Sequence, residues 1–362
     1  MNQAIDKPLH GIRVLDLTRL LPGPVATMHL ADMGAEVIKI EDPHIGDYAR
    51  TMGPVRNQVS QFFVAVNRGK HGIRLDLKDA AQRDIFLGMV ETADVVVESF
   101  RPGVMEKLGV GWEVLKQRNP RLVMCAISGY GQDGPLARLA GHDINYIALA
   151  GMLEQNVGQN GIPALPNLQV GDLLGGAQSA LQGILAALIG VRSGGPGRFI
   201  DIAMTDAVFA HNIMPLVAVN DTGQPAAPGR DLLTGGVPCY NVYRTSDGRF
   251  MAVGALELKF WETCCDTLGC PDLKQRHWSV GQEIGGTDAM AVKAELDALF
   301  AQDTLAAWTD KFSRVDCCVT PVLRTDEAIG HPQFQMRRMI ESKTHETEGT
   351  YWSTGPAVRF KT

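Results

Sequence analysis

Ile12-Arg13-Val14-Leu15-Asp16-Leu17 reads as a β-strand, and it is followed by Pro22-Gly23-Pro24, by a helical pattern over 25–33 and by a second strand, Glu36-Val37-Ile38-Lys39-Ile40. The proline-bearing triplet reads as the break that ends the first strand. The same alternation then continues. Lys78 to Ala93 is helical in pattern, Asp94-Val95-Val96-Val97-Glu98 is a strand with almost no polar alternation, and Leu122 to Ile127 is another. Runs that are apolar on both faces and separated by helices indicate a parallel sheet covered on both sides. The expected fold class is α/β, with Rossmann-like winding in a large domain.

The pattern changes further along. Asp172 to Ile189 is apolar nearly all round and rich in Gly and Ala, which predicts a buried helix with Asp172 at or near its N-terminus. A linker is expected over 221–229. A hairpin follows, Tyr240 to Tyr243 and Arg249 to Val253 around Ser246-Asp247-Gly248. Helices and a last strand-like piece, Val319 to Leu323, complete a smaller α+β domain. The expected division is a large lobe over 1–215, completed by the tail 325–362, and a small lobe over 225–320.

With 362 residues, 45% hydrophobic and 20% charged, the composition is that of an ordinary globular protein. The net charge of −6 argues against a nucleic-acid partner, which would call for a basic face. The first ten residues carry no apolar core of a signal peptide, and the most apolar run, 179–191, reads as too short to span a bilayer. Seven cysteines without disulfide-like spacing fit a reducing cytosol. No Cys-x-x-Cys occurs, so the pattern does not suggest zinc. A cytoplasmic location without a membrane partner is expected.

Several segments carry candidate chemistry. Gly129-Tyr130-Gly131-Gln132-Asp133-Gly134 matches a dinucleotide-binding pattern, but it follows a fourth strand rather than the first, and Pro135 opposes a helix start. A tight loop beside a cleft is the better reading. Arg68 and Lys70 in Asn67-Arg68-Gly69-Lys70-His71, and Arg101 in Arg101-Pro102-Gly103, are cations beside bare backbone that suit a phosphate. As single residues they read equally as solvated surface charge. His142 is crowded by Asp143, Asn145 and Tyr146. Asp172 stands as a candidate acid/base or as a plain helix cap, and Glu257 as a candidate carboxylate or as the cap of the next helix.

Leu9-His10-Gly11-Ile12-Arg13-Val14-Leu15-Asp16-Leu17-Thr18, Pro22-Gly23-Pro24, Asp32 to Glu41 and Phe100-Arg101-Pro102-Gly103-Val104 together resemble the family III CoA transferases (CaiB/BaiF), which include the α-methylacyl-CoA racemases. Ala140-Gly141-His142-Asp143-Ile144-Asn145-Tyr146 resembles the racemase segment that carries a catalytic histidine. The stretch from Gly235 to Glu257 resembles the one that carries its glutamate. Asp172 falls at the acidic position shared by both branches. The stretch 229–236 lacks the glycine run typical of transferases.

The resemblance implies an interlocked homodimer acting on acyl-CoA, with His142, Asp172 and Glu257 catalytic and Arg68, Lys70, Arg101 and Tyr146 in contact with CoA. One of His142 and Asp172 would take the α-proton of a 2-methylacyl-CoA, and the other would reprotonate the opposite face. Glu257 would orient His142, and amides at the start of the 172 helix would meet the enolate oxygen. No metal or bound organic cofactor is implied, since CoA is part of the substrate. Two alternatives stay open. One is a CoA transferase in which Asp172 is the nucleophile; the other is an acyl-CoA-binding protein without catalysis. The sequence departs from the racemases at Glu41-Asp42-Pro43, where they often carry Arg.

Overall fold

The computed structural model describes residues 7–57, 59–158, 161–345 and 349–360. The chain divides into two units. One comprises the chain to Leu153 with Leu165–Asn212 and the chain from Gln335; the other comprises Glu154–Ala164 and Ile213–Phe334. The short insertion Glu154–Ala164 therefore belongs with the second unit, where Gln155 Nε2 donates to Ala226 O.

The first unit is built from β1 (Arg13–Asp16), α1 (Pro22–Asp32), β2 (Glu36–Glu41), β3 (Lys70–Arg74), α2 (Ala80–Val90), β4 (Val95–Glu98), α3 (Trp112–Arg118), β5 (Val123–Ser128), α4 (Asp143–Leu149), a π-helix (Gly171–Gln178) that runs into α5 (Ser179–Arg192), β6 (Arg198–Ala203) and α6 (Met204–His211). Its six strands lie in the order β3-β2-β1-β4-β5-β6, and every pairing is parallel. This is the Rossmann order, and its strand order reverses between β1 and β4.

Alternation sorts the strand side chains into two cores. Val14, Val95, Val97, Val123 and Cys125 face α1 and α5. Leu15, Ile40, Val96 and Met124 face α2 and α3, where Phe86, Leu87 and Leu115 meet them. Removing both faces of β4 and β5 from water is what makes those strands continuous apolar runs.

Three details differ from the expectations above. Pro22-Gly23-Pro24 does not end the first element: Pro22 opens α1, a position where a missing N–H costs nothing. The 67–71 segment is not wholly a turn, because Lys70 begins β3. Because β3 was not read as a strand, the strand before Gly129 is the fifth of the sheet rather than the fourth, and β6 also went unrecognised.

The helical stretch Gly171–Arg192 is longer than the apolar run suggested, and its 22 residues suffice by length and composition to cross a membrane. Its buried residues Ala180, Leu181, Ile184, Ala187, Leu188 and Val191 pack into the sheet core, as a core helix does.

The second unit contains α7 (Ile213–Thr222), β7 (Tyr240–Arg244), β8 (Phe250–Gly254), α8 (Leu258–Leu268), α9 (Thr287–Phe300), α10 (Leu305–Phe312) and β9 (Val319–Pro321). The antiparallel sheet β9-β8-β7 packs its Tyr243, Met251 and Val253 against Trp261, Phe300, Trp308 and Phe312 of the helices. The linker expected over 221–229 begins only after Thr222, where α7 ends. α7 buries none of its residues, although Ile213, Leu216 and Val217 are all apolar. In the first unit, β10 (Ile340–His345) and β11 (Gly349–Thr354) form a hairpin near the end of the chain.

Candidate active site

Ligands of open α/β sheets bind beyond the carboxyl ends of the strands at the point of reversal. Here the segments after β1, β4 and β5 open on a cavity of about 450 Å³, a size suited to a small-molecule ligand. Arg19 and Leu20 come from the first segment, Ser99, Phe100 and Arg101 from the second, and Gly129 from the third; His142, Tyr146 and Asp172 complete the wall. A smaller, mostly apolar cavity of about 220 Å³ is lined by Ile40, Ile45, Leu75 and Leu77, and it shares Arg19 and Phe100 with the first.

Asp172 stands in the first turn of the π-helix, not at its cap, which is Val170. π-helical turns are rare and recur at functional sites. The packing here requires small residues. A side-chain carbon at Gly175 would lie 2.7 Å from Met204 O, and one at Gly176 would lie 2.6 Å from Pro22 Cβ. The bare backbone lets the π-helix close against both α1 and α6.

Burial pushes the Asp172 carboxyl up to about 7, and the nearby Asp143 carboxylate adds to the rise. Asp143 Oδ1 accepts the Asp172 amide at 3.0 Å. A carboxyl that titrates near neutrality is suited to both giving and taking a proton. The Asp172 and Leu173 amides are already bonded, to Asp143 Oδ1 and Gln169 O. The expectation that amides at this helix start meet an enolate oxygen is therefore corrected for these two, because neither is free.

His142 is exposed and caps α4, with its amide donating to Asn145 Oδ1 at 3.0 Å. The imidazole lines the cavity wall. Tyr146 packs edge-on against Tyr130 and donates its hydroxyl to Gly141 O at 2.6 Å. Burial, with Asp172 close by, pushes the phenol well up, so it stays neutral.

The expected CoA contacts fall into two groups. Arg101 is exposed in the cavity wall; its carbonyl accepts the Val104 amide, but among the described residues its guanidinium makes no hydrogen bond or ion pair. Lys70 is sequestered instead: its ammonium bonds Asp16 Oδ2 at 2.9 Å, Pro24 O at 2.8 Å and Asn67 Oδ1 at 2.8 Å. Arg68 likewise pairs with Asp32 at 2.6 Å. Neither lines the cavity, and both cations are already neutralised, so the expectation that they hold phosphates gives way to this geometry.

Sequence reasoning passed over Arg19. Its guanidinium lies 5.1 Å from the Phe100 ring centre and 5.3 Å from that of Tyr48, at the mouth of both cavities. The turn that presents it is strained. Leu20 adopts φ +67°, a conformation rare for such a residue. Asp47 Oδ1 accepts the Leu20 amide, Lys39 donates to Thr18 O, and a buried Lys39–Asp47 pair at 3.0 Å joins the two anchors. The missed signal was positional, since Thr18-Arg19-Leu20 is the first strand-to-helix turn. In the Glu41-Asp42-Pro43 segment, Asp42 turns its carboxylate back to accept the amides of His44 and Ile45.

Glu257 lies in the second unit as the cap of α8. It is exposed and makes no side-chain capping bond, so capping does not account for its carboxylate.

A Rossmann-ordered sheet whose reversal point opens on a cavity holding an imidazole, a near-neutral carboxyl and two arginines without carboxylate partners among the described residues defines a class: α/β proteins equipped for proton or acyl transfer on an anionic ligand. Within that class, the family model described as CoA-transferase family III matches residues 9–362, and the chain belongs to that family.

Two relatives illustrate its breadth. The chain is 38% identical to human alpha-methylacyl-CoA racemase, over 91% of this chain and 81% of that protein. It is 36% identical to acetyl-CoA:oxalate CoA-transferase of Acetobacter aceti, over 92% and 85%. The crystal structure of a CAIB/BAIF family protein from Brucella suis matches with a TM-score of 0.82 at 26% identity, covering 98% of this chain and 93% of that one.

Proposed function

We propose that this protein interconverts (2R)- and (2S)-2-methylacyl-CoA thioesters. The observation that carries the reading is that His142 and Asp172, the latter a carboxyl poised at about 7, line one cavity at the reversal point of the sheet. The thioester acidifies the adjacent C–H. One of the two groups takes that proton, and the C–H electron pair passes into a planar enolate. The other group returns a proton to the opposite face as the enolate collapses to the thioester. Each turnover leaves the pair with its protons exchanged, ready for the reverse direction. An imidazole facing a carboxyl that titrates near neutrality fits this reciprocity.

In this reading Arg19 and Arg101 meet the phosphates of CoA, Tyr146 forms part of the wall, and the smaller apolar cavity takes the adenine. CoA is part of the substrate, and no metal or organic cofactor enters the reaction. The wholly unburied apolar helix α7 supports assembly into a homodimer, which we take to be interlocked. Glu257 then orients the His142 imidazole of the assembled enzyme. Seven free cysteines suit a reducing compartment such as the cytoplasm.

The Acetobacter aceti relative favours a second reading, in which ionised Asp172 attacks an acyl-CoA and passes CoA to another acid. NMR of a single-enantiomer 2-methylacyl-CoA in D₂O, without acceptor acid, separates the two. Loss of the α-proton signal and growth of the other epimer is the expected result. His142→Ala and Asp172→Ala should each abolish it while leaving CoA binding intact. Absence of exchange, with CoA transfer once carboxylic acids are added, would replace this reading by the second.

A further inference from the structure

Proton transfer to the two faces of one carbon requires His142 and Asp172 to keep a fixed separation, yet they lie on different elements, 30 positions apart in the chain. A misplacement of about 1 Å at such a site costs on the order of 10²-fold in rate. One side chain joins the two elements. Asp143 is the first residue of α4, directly after His142. Its Oδ1 reaches across 29 positions to accept the backbone amide of Asp172 at 3.0 Å.

The surroundings are shaped for that contact. A side-chain carbon at Gly171 would stand 2.9 Å from the same Oδ1 and 3.3 Å from Tyr146 Cβ, so the glycine leaves the carboxylate its path. We propose that Asp143 is a positioning residue that locks the His142 and Asp172 elements together for proton transfer, an inference that rests on the racemase reading above.

The groups around Asp172 agree with this role. From α4 come Asp143 and Tyr146, with His142 at the cap; Arg19 and Arg101 share the cavity. α1 and α6 present Pro22 and Met204 to the π-helix. Burial and the Asp143 carboxylate both act to keep the Asp172 proton on. The residue that fixes the position of the acid therefore also biases its protonation.

The test compares Asp143→Ala and Asp143→Asn in the full-length chain, using (2S)-2-methyldecanoyl-CoA and α-proton exchange in D₂O. Asp143→Ala removes the acceptor. It should lower kcat by about 100-fold with KM little changed. Asp143→Asn keeps an oxygen for the amide but loses the charge. It should hold kcat within a few-fold of wild type, while the limb of the pH profile belonging to Asp172 moves to lower pH. Asp143→Ala turning over like wild type with an unmoved profile would overturn the inference. So would Asp143→Asn falling as far as Asp143→Ala with no movement of the limb, a comparison that survives even if Asp143→Ala folds poorly. If wild type itself exchanges no α-proton, the racemase reading fails first and the inference falls with it.

Discussion

Two aspartates of the same unit, the buried Asp16 and the half-buried Asp172, have opposite fates. Burial alone would raise Asp16, but Lys70, Lys39 and the hydroxyls of Thr18 and Thr27 outweigh it and hold the carboxyl at about 2. Burial also raises Asp172, and there its charged neighbour is another carboxylate, so the group is left at about 7. The first is a fully satisfied anion that ties β1 to α1 and β3. The second is an acid held ready. Satisfaction by cations and donors makes a carboxylate structural; withholding them makes it reactive.

The sharpest way to break this contrast is Asp172→Asn. It should cost on the order of 10³-fold in kcat for α-proton exchange, with thermal stability kept or improved. A variant retaining wild-type kcat would end the distinction. Next in size, Asp16→Ala should lower unfolding free energy by about 3–5 kcal/mol in denaturant titrations, because it strands the buried Lys70 ammonium. Equal stability of the variant would mean that the pair is not what holds this corner.

The two carboxyls should also oppose each other in pH. Asp16, with its folded value depressed to about 2, contributes stability that is present above its ordinary value of 3.8 and is lost as pH falls through 2. Asp172, raised to about 7, favours the fold while protonated. Its contribution falls away as pH rises from 3.8 and is fully lost above 7. Melting curves of wild type and Asp172→Asn should accordingly diverge between those values and run parallel above them. Smallest in effect, Arg101→Ala should raise KM for the CoA thioester by roughly 10-fold without moving the melting temperature, as loss of one charge-assisted phosphate contact would. A fall in stability instead would place Arg101 with Lys70 among the structural cations.

The sheet was legible where strands are covered on both faces. Val95–Glu98 and Val123–Ser128 are wholly buried and read as unbroken apolar runs. β3 and β6 were not recognised because they form the two edges of the sheet, and most of their residues remain in contact with solvent. Of the cavity wall, His142, Tyr146, Asp172 and Arg101 were named from local context. Lys70 illustrates the limit: a lysine beside a glycine suits a phosphate, but its partner Asp16 lies 54 positions away and only the parallel pairing of β3 brings them together. Arg19 was passed over because an arginine between Thr18 and Leu20 carries no local mark of strain; the strain appears only in the backbone at Leu20.

The π-helix has a consequence for how this site tolerates change in chain length. A π-helical ladder steps back five residues, as the Ser179 amide does to Leu174 O, whereas that of the α5 segment that continues it steps back four. Deleting one residue from Gly171–Gln178 would let the regular ladder run on unbroken and swing everything ahead of the deletion by about 100° around the axis. Asp172 would then point elsewhere in an otherwise intact fold. The bearing of the acid is thus counted out in residues, and at this segment a deletion redirects the chemistry where a substitution would merely weaken it.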